Sequence, residues 1–227
     1  MAVAFDAFTA IANGTGNLSG THTPVGTPRG VIVSVVGTVE TDTVDTVTYG
    51  GSALAQVALS PITTGGATEQ GFSSVWFLGT SIPTGAQTVA ITVTGAGAKV
   101  LDCVTLTAAT DTAVQDTTTI SSSSVTNPTA TLSLGGNSCF CMEAFYTGAS
   151  DPANFGANAN WTVRREFDFG TDCAGGYTYD IVGTTDVTMG WTQTTEEAAG
   201  LGIAIKESAA AGLSIPVAMG QYRRLRA

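Results

Sequence analysis

The sequence predicts an all-β chain folded as one antiparallel β-sandwich, and three observations carry that expectation. Runs rich in Val, Thr, Ile and aromatic residues recur at intervals of roughly 8–15 residues, with Gly, Pro, Asn or Asp between them. No stretch sustains an apolar repeat of helical period; Ser208–Gly212 comes nearest, and the segment from Gly212 to Pro216 breaks it. Hydrophobic residues make up 43% of the chain but aromatics only 7%. Small and β-branched side chains must therefore fill the core, which favours two closely packed sheets.

Taken in order, the first expected strands are Val3–Phe8, Asn17–Thr23 and Val31–Val39. Val44–Tyr49 alternates, Gly50-Gly51 supplies a two-residue turn and Ser52–Leu59 runs back, the pattern of a hairpin. Phe72–Leu78 follows, then a turn at Ile82-Pro83-Thr84-Gly85 and the strand Thr88–Thr94. Gly95–Lys99 lacks the G-x-x-x-x-G-K-[ST] spacing of a phosphate loop and precedes a strand, so it reads as a hairpin turn into Val100–Ala108. Thr129–Leu134, Cys139–Thr147, Trp161–Phe169 and Tyr177–Ile181 come next. Asp186–Lys206 reads as a second hairpin, from Asp186–Gln193 to Leu201–Ile205, with Glu196-Glu197 at its turn. Leu201, Ile203 and Ile205 share one face of it, while Ala198, Gly200, Gly202 and Ala204 on the other permit close approach of a sheet or an aromatic ring. Thr110–Thr126 and Asp151–Asn160 offer little apolar area and read as surface loops. No repeat of fixed period is visible. Residues 1–207 are thus expected to form one domain, and 208–227 an extension that the sandwich does not need.

Eighteen acidic residues against eight basic ones give a net charge of −10. Such a surface repels a phosphate backbone, so no nucleic-acid partner is expected. Met1–Gly14 has no Lys or Arg, carries Asp6 and lacks a long apolar core, so no secretory signal is read there. No apolar run reaches the roughly 18 residues of a membrane span. Synthesis in the cytoplasm and no membrane partner are the corresponding expectations. Three Asn-x-Ser/Thr sequons, at Asn13, Asn17 and Asn160, are what a Thr-rich chain contains by chance.

Residues that could carry chemistry are few. His22 is the only histidine, and no G-x-S-x-G motif accompanies it, so it reads as structural or solvated. Cys103, Cys139, Cys141 and Cys173 match no zinc spacing and read as buried free thiols; Cys139 and Cys141 lie on one strand face and are badly placed to bond to each other. The acidic pairs Glu196/Glu197 and Glu166/Asp168 lack a supporting motif for glycosidase chemistry. Asp168, Asp172, Asn154, Asn158 and Asn160 have calcium-ligand chemistry without EF-hand spacing. No cofactor and no metal are expected. Trp76 and Trp191 sit in strongly patterned strands and read as core, whereas Trp161, after an Asn-rich stretch, is the candidate glycan contact with Asn158 and Asn160. The C-terminal extension is chemically distinct: Ile215, Pro216, Val217 and Met219 are apolar, and Tyr222, Arg223, Arg224 and Arg226 follow in an otherwise acidic protein. An apolar anchor with three arginines suits docking onto an acidic neighbouring subunit.

Four stretches carry a resemblance: Val47-Thr48-Tyr49-Gly50-Gly51-Ser52-Ala53-Leu54, Val75-Trp76-Phe77-Leu78, Pro83–Val89, and Trp191-Thr192 through to Gly202–Lys206. Over residues 2–207 the chain resembles a family of uncharacterised jelly-roll-like β-sandwich domains found in phage virion proteins and bacterial surface proteins; Ile91 stands where that pattern has its last Val. The resemblance implies a jelly-roll-like sandwich with an extended C-terminal arm. In a phage it implies a non-enzymatic structural protein of a tailed virion, decorating a capsid or attached to a tail, whose partners are other virion proteins and copies of itself. In a bacterium it implies an extracellular, cell-surface adhesin or carbohydrate-binding module that recognises a host glycan.

Overall fold

The computed structural model describes residues 2–65, 70–155 and 161–208. Among them the chain is all-β, built of antiparallel sheets that form an open sandwich and not a closed barrel. The strands of the first half are β1 (Ala4–Thr15), β2 (Ser19–His22), β3 (Gly30–Gly37), β4 (Thr43–Tyr49), β5 (Ser52–Ala53), β6 (Ala55–Gln56), β7 (Ile62–Thr63), β8 (Phe72–Leu78), β9 (Gln87–Thr94) and β10 (Ala98–Thr107). The second half has β11 (Thr112–Val125), β12 (Thr129–Leu132), β13 (Cys139–Thr147), β14 (Trp161–Asp168), β15 (Cys173–Gly183), β16 (Val187–Gly190) and β17 (Glu196–Glu207).

They stack in four layers. An outer sheet, β2-β9-β4-β5, covers the large sheet β1-β10-β3-β8-β6, to which β7 adds through β8. The second large sheet, β11-β17-β13-β15-β14, is covered on its far side by the two-stranded sheet β12-β16. The sequence of β3 shows why. Val31, Val33 and Val35 point to the outer sheet with Val47, Tyr49 and Ile91, while Ile32 and Val36 point to the other large sheet with Met142, Tyr146 and Leu201. A strand buried on both faces needs apolar residues at both parities, hence the nearly unbroken apolar run Val31–Val36. Leu132, Leu134, Cys139, Cys141, Val187 and Met189 fill the third interface, beside Phe145, Tyr177 and Trp191.

The two halves repeat one topology. β1, β10, β3 and β8 are ordered as β11, β17, β13 and β15 are, and β2 pairs with β9 as β12 pairs with β16. The register agrees over the first part of β1 and β11. A bulge falls between Phe5 and Ala7 opposite Leu106 and Thr105, and again between Val114 and Asp116 opposite Ile205 and Ala204. Thr38 N–H donates to Ala98 O (3.0 Å) as Gly148 N–H does to Glu197 O (3.0 Å), and Ile91 N–H to Leu18 O (2.9 Å) as Trp191 N–H does to Pro128 O (3.3 Å). The halves differ at one edge. β4 lies along β9, pairing Thr46 with Thr92 and Tyr49 with Val89. Among the described residues β16 has no such neighbour; only the bridge of Ala153 to Thr192 stands where Thr46–Thr92 stands.

Several expectations are corrected. Thr112–Val125 is not a loop but a strand, β11, paired along β17. Its Ser/Thr composition hid it, because an edge strand with one solvated face needs few apolar residues. Ser52–Leu59 does not run back as one strand: β5 pairs with β4 across Gly50-Gly51, after which β6 and β7 have crossed to β8 in the next layer. Gly95–Lys99 and the stretch from β16 to β17 are crossovers between layers and not hairpins, so Glu196-Glu197 begin β17. The missing fixed period also has a cause: the halves match in register, while their insertions differ in length, above all between β4 and β8.

Candidate functional site

Polar and charged groups in the interior are tied into the layers. His22, at the end of β2, is fully buried between the outer and large sheets. Its ring nitrogens meet Thr9 Oγ1 (2.8 Å) and Thr105 Oγ1 (3.0 Å), and Thr105 donates its hydroxyl proton to Asp6 Oδ2 (2.8 Å). Thr105 must then accept from His22 Nε2–H, which leaves Nδ1 to accept from Thr9. Asp6 is held in turn by Gly26 N–H (2.7 Å). Burial lowers the His22 pKa, and the Asp6 charge opposes that shift. The histidine is a neutral structural cross-link. The four cysteines are free and buried, and burial raises each thiol pKa, that of Cys173 to about 12. They present no thiolate at neutral pH.

A buried carboxyl occupies the second half. Glu143 of β13 is wholly inaccessible, and burial raises its pKa well above the ordinary carboxylate range. Tyr177 OH lies against Glu143 Oε2, accepts Gly190 N–H (2.7 Å) and lies 3.1 Å from Gly190 O. One hydroxyl proton cannot serve both oxygens. A protonated Glu143 resolves this, its own O–H donating to Tyr177 Oη while Tyr177 donates to Gly190 O. Tyr177 thus takes the N–H and C=O of Gly190 at the register position where Ala90 of the first half pairs with Thr48 of β4. Gly200 and Gly202 make room: a Cβ on Gly200 would strike Glu143 Oε1, and one on Gly202 the Met189 thioether. The close approach expected of these glycines is present.

The protonation state is testable. The raised pKa means that the folded chain holds this proton more tightly than the unfolded chain, so the contribution to stability is full below about pH 4.5 and declines as pH rises towards the folded pKa. Glu143→Gln keeps a donor and does not titrate. From pH 5 to 8 the stability of the parent relative to Glu143→Gln is expected to fall by up to about 1.4 kcal/mol per pH unit, read from urea midpoints. Parallel pH curves for the two proteins would show Glu143 to be ionised.

Two buried ion pairs lock the scaffold. Lys99 Nζ sits 2.6 Å from Asp42 Oδ2 and donates to Gly97 O (2.7 Å), while Gly97 N–H donates to the same carboxylate (2.9 Å). Arg165 of β14 crosses between the large sheets to Asp102 of β10 (2.7 Å) and reaches the carbonyls of Ala12 and Leu101. Burial raises the Asp102 pKa to about 6, with Arg165 pulling it down. These residues escaped the sequence reading. The available signal was a lone charge within an apolar run: Glu143 in Cys139–Tyr146, Asp102 in Val100–Val104.

On the surface, two clefts lie at one end of the second half. A largely apolar one of about 200 Å³ is lined by Asn127, Asn154, Met189, Gly190, Trp191 and Thr192. Beyond Ala153–Thr192, a polar pocket of about 430 Å³ is lined by Gly148, Ser150, Asp151, Thr171, Thr194 and Glu196, with no cationic side chain among the described residues of its wall. Glu166 nearby is raised in pKa by partial burial and then by the Asp151 charge.

The expected site residues fall as follows. Trp76 and Trp191 are core. Trp161 is half-buried, its ring edge-on to Tyr177 (4.8 Å) and tilted against Tyr179 (5.1 Å), with its indole N–H buried. It is a wall of the core more than an open platform. Asn158 and Asn160 lie outside the described residues, as do Ile215, Pro216, Val217, Met219, Tyr222, Arg223, Arg224 and Arg226. Of the calcium-type set, Asp172 accepts from Tyr146 OH (2.9 Å) and Thr171 OH (2.8 Å), and Asp168 accepts from Gly170 N–H. Among the described residues no three His, Cys, Asp or Glu side chains are grouped to hold a metal ion.

Fold and interior together define an all-β sandwich scaffold of two topologically equivalent halves, joined across a common core. Comparisons of the chain with protein-family models, with curated proteins and with solved structures give no match.

Proposed function

We propose that the chain is a non-enzymatic structural subunit of a tailed-phage virion, decorating the capsid or attached to the tail, that docks through its C-terminal arm. The observation that carries this reading is where the chemistry of the chain is committed. His22, Glu143, Lys99–Asp42 and Arg165–Asp102 are all engaged in holding layers together, whereas the sequence gathers three arginines into its last five residues in a chain of net charge −10. Groups at a catalytic site need a cleft and a reachable proton; these have neither. The resemblance to jelly-roll-like virion domains supports the same reading. The partners are other virion proteins and further copies of the chain. The adhesin alternative rests on Trp161, whose ring is largely spent on Tyr177 and Tyr179.

Truncation tests the arm. Glu207 belongs to β17 and its carboxylate accepts Ala109 N–H (2.7 Å), so the cut falls after Ser208. Residues 1–208 are expected to unfold at the temperature of the full chain yet to be missing from purified particles. Incorporation of the truncated chain at the full-length copy number would overturn the docking role.

A further inference from the structure

The turn between β3 and β4 brings two carboxyls to a buried lysine. Asp42 N–H donates to Val39 O (3.0 Å), so Glu40 and Asp42 leave the same four-residue turn. Lys99 Nζ lies 2.6 Å from Asp42 Oδ2, with no accessible surface on the lysine side chain and 4% on the aspartate. Neither group can swing away. A Cβ on Gly37 would strike the Phe72 ring and Lys99 Cγ, and one on Gly95 or Gly97 would strike the Asp42 carboxylate, so packed atoms wall in both side chains. Glu40 is in the opposite condition. Its Oε2 is buried and has no hydrogen-bond partner among the described residues, which leaves a carboxylate oxygen able to take and return a proton.

Around the pair, Gly97 offers the bonds that an amide needs. Its C=O accepts from Lys99 Nζ (2.7 Å) and its N–H donates to Asp42 Oδ2 (2.9 Å). An amide joining Nζ to Cγ keeps both, with its N–H on Gly97 O and its carbonyl oxygen on Gly97 N–H. It also removes two buried charges, each costly to desolvate.

We propose that Lys99 and Asp42 condense to an intramolecular amide, with Glu40 as the proton relay. One proton of the ammonium passes to Glu40, the freed nitrogen lone pair forms the bond to Cγ, and the electron pair displaced onto Oδ2 is held by Gly97 N–H. Oδ1 then leaves as water, taking that proton and a second one from the nitrogen, both by way of Glu40. The two charges cancel, and no oxidant, reductant or further reactant enters. Holding the groups in contact supplies the effective concentration that this condensation lacks in water. The freshly folded chain holds the ion pair, and the amide accumulates with age. It ties β10 covalently to the turn before β4. Ala198 stands at the register position of Lys99 in the second half, so that half has no counterpart. The inference goes beyond the virion reading: it concerns the free chain and holds whether or not the chain joins a particle.

Intact-mass spectrometry of the full chain, denatured after incubation at neutral pH, tests it. A species lighter by one water is expected to accumulate, in which trypsin no longer cuts after Lys99 but still cuts after Lys206, the only other lysine of the chain. Asp42→Ala and Lys99→Arg should abolish it. Glu40→Gln leaves the ion pair in place, so it should unfold at the parent's temperature and yet form the lighter species at least about a hundredfold more slowly. An unchanged mass after several weeks, a lost water mapped to another residue, or an undiminished rate in Glu40→Gln would overturn the proposal. Particle incorporation is measured separately, so failure of one reading leaves the other standing.

Discussion

Asp42→Ala is expected to destabilise the chain by about 3–5 kcal/mol, because it leaves Lys99 as an uncompensated buried charge. Lys99 has no accessible surface, and Asp42 is only 4% exposed at its side chain. The carboxylate also accepts Gly97 N–H, and Gly95 and Gly97 pack directly on it, so its removal opens a small cavity where β9 crosses to β10. Replacing both partners, Asp42→Ala with Lys99→Met, removes the stranded charge and should recover most of the loss. Urea unfolding of the single and double variants measures both. A loss under about 1 kcal/mol for Asp42→Ala would show the pair to be solvated in solution.

Arg165→Ala should cost a similar amount, about 3–5 kcal/mol at pH 8, and distinctly less at pH 5. Asp102 is 1% exposed and already raised to about 6 with Arg165 in place. Its folded pKa lies above the unfolded value, so its contribution is full below about pH 3.8 and is lost as pH rises through the folded pKa. Without the guanidinium that pulls it down, the folded pKa climbs further and the carboxyl can escape ionisation by holding its proton. The gap between variant and parent must therefore widen from pH 5 to pH 8. Because Arg165 joins β14 of one half to β10 and the carbonyls of Ala12 and Leu101 in the other, the loss should appear in a single cooperative transition. A pH-independent deficit would mean that Arg165 acts through packing of its stem alone.

Strands with apolar residues at one or both parities were legible in the sequence. Cys139–Thr147 and Phe72–Leu78 coincide with the expected limits, and the glycines of β17 admit Met189, Trp191 and Glu143 as their spacing implied. Pairing was less legible, since a local alternation does not say which layer a strand joins. Asp186–Lys206 has the look of a hairpin, yet its two strands lie in adjacent layers because β17 is held between β11 and β13. β11 was hidden by its Ser and Thr residues, which an exposed edge accepts. The duplication was hidden as well: it survives in bulges and register, where Phe5 answers to Val114 and Trp76 to Tyr177, and not in residue identity. Glu143 and Asp102 were visible as isolated charges in apolar runs, but their roles depend on Tyr177 and Arg165, which only the packed layers bring to them.

The most direct test of the proposed virion role is quantitative mass spectrometry of phage particles purified from a lysate in which the chain is expressed, set against the soluble fraction of the same lysate. A structural subunit is predicted to appear in the particles at a fixed number of copies that survives high-salt washing. Recovery of the chain only from the soluble fraction would contradict the account.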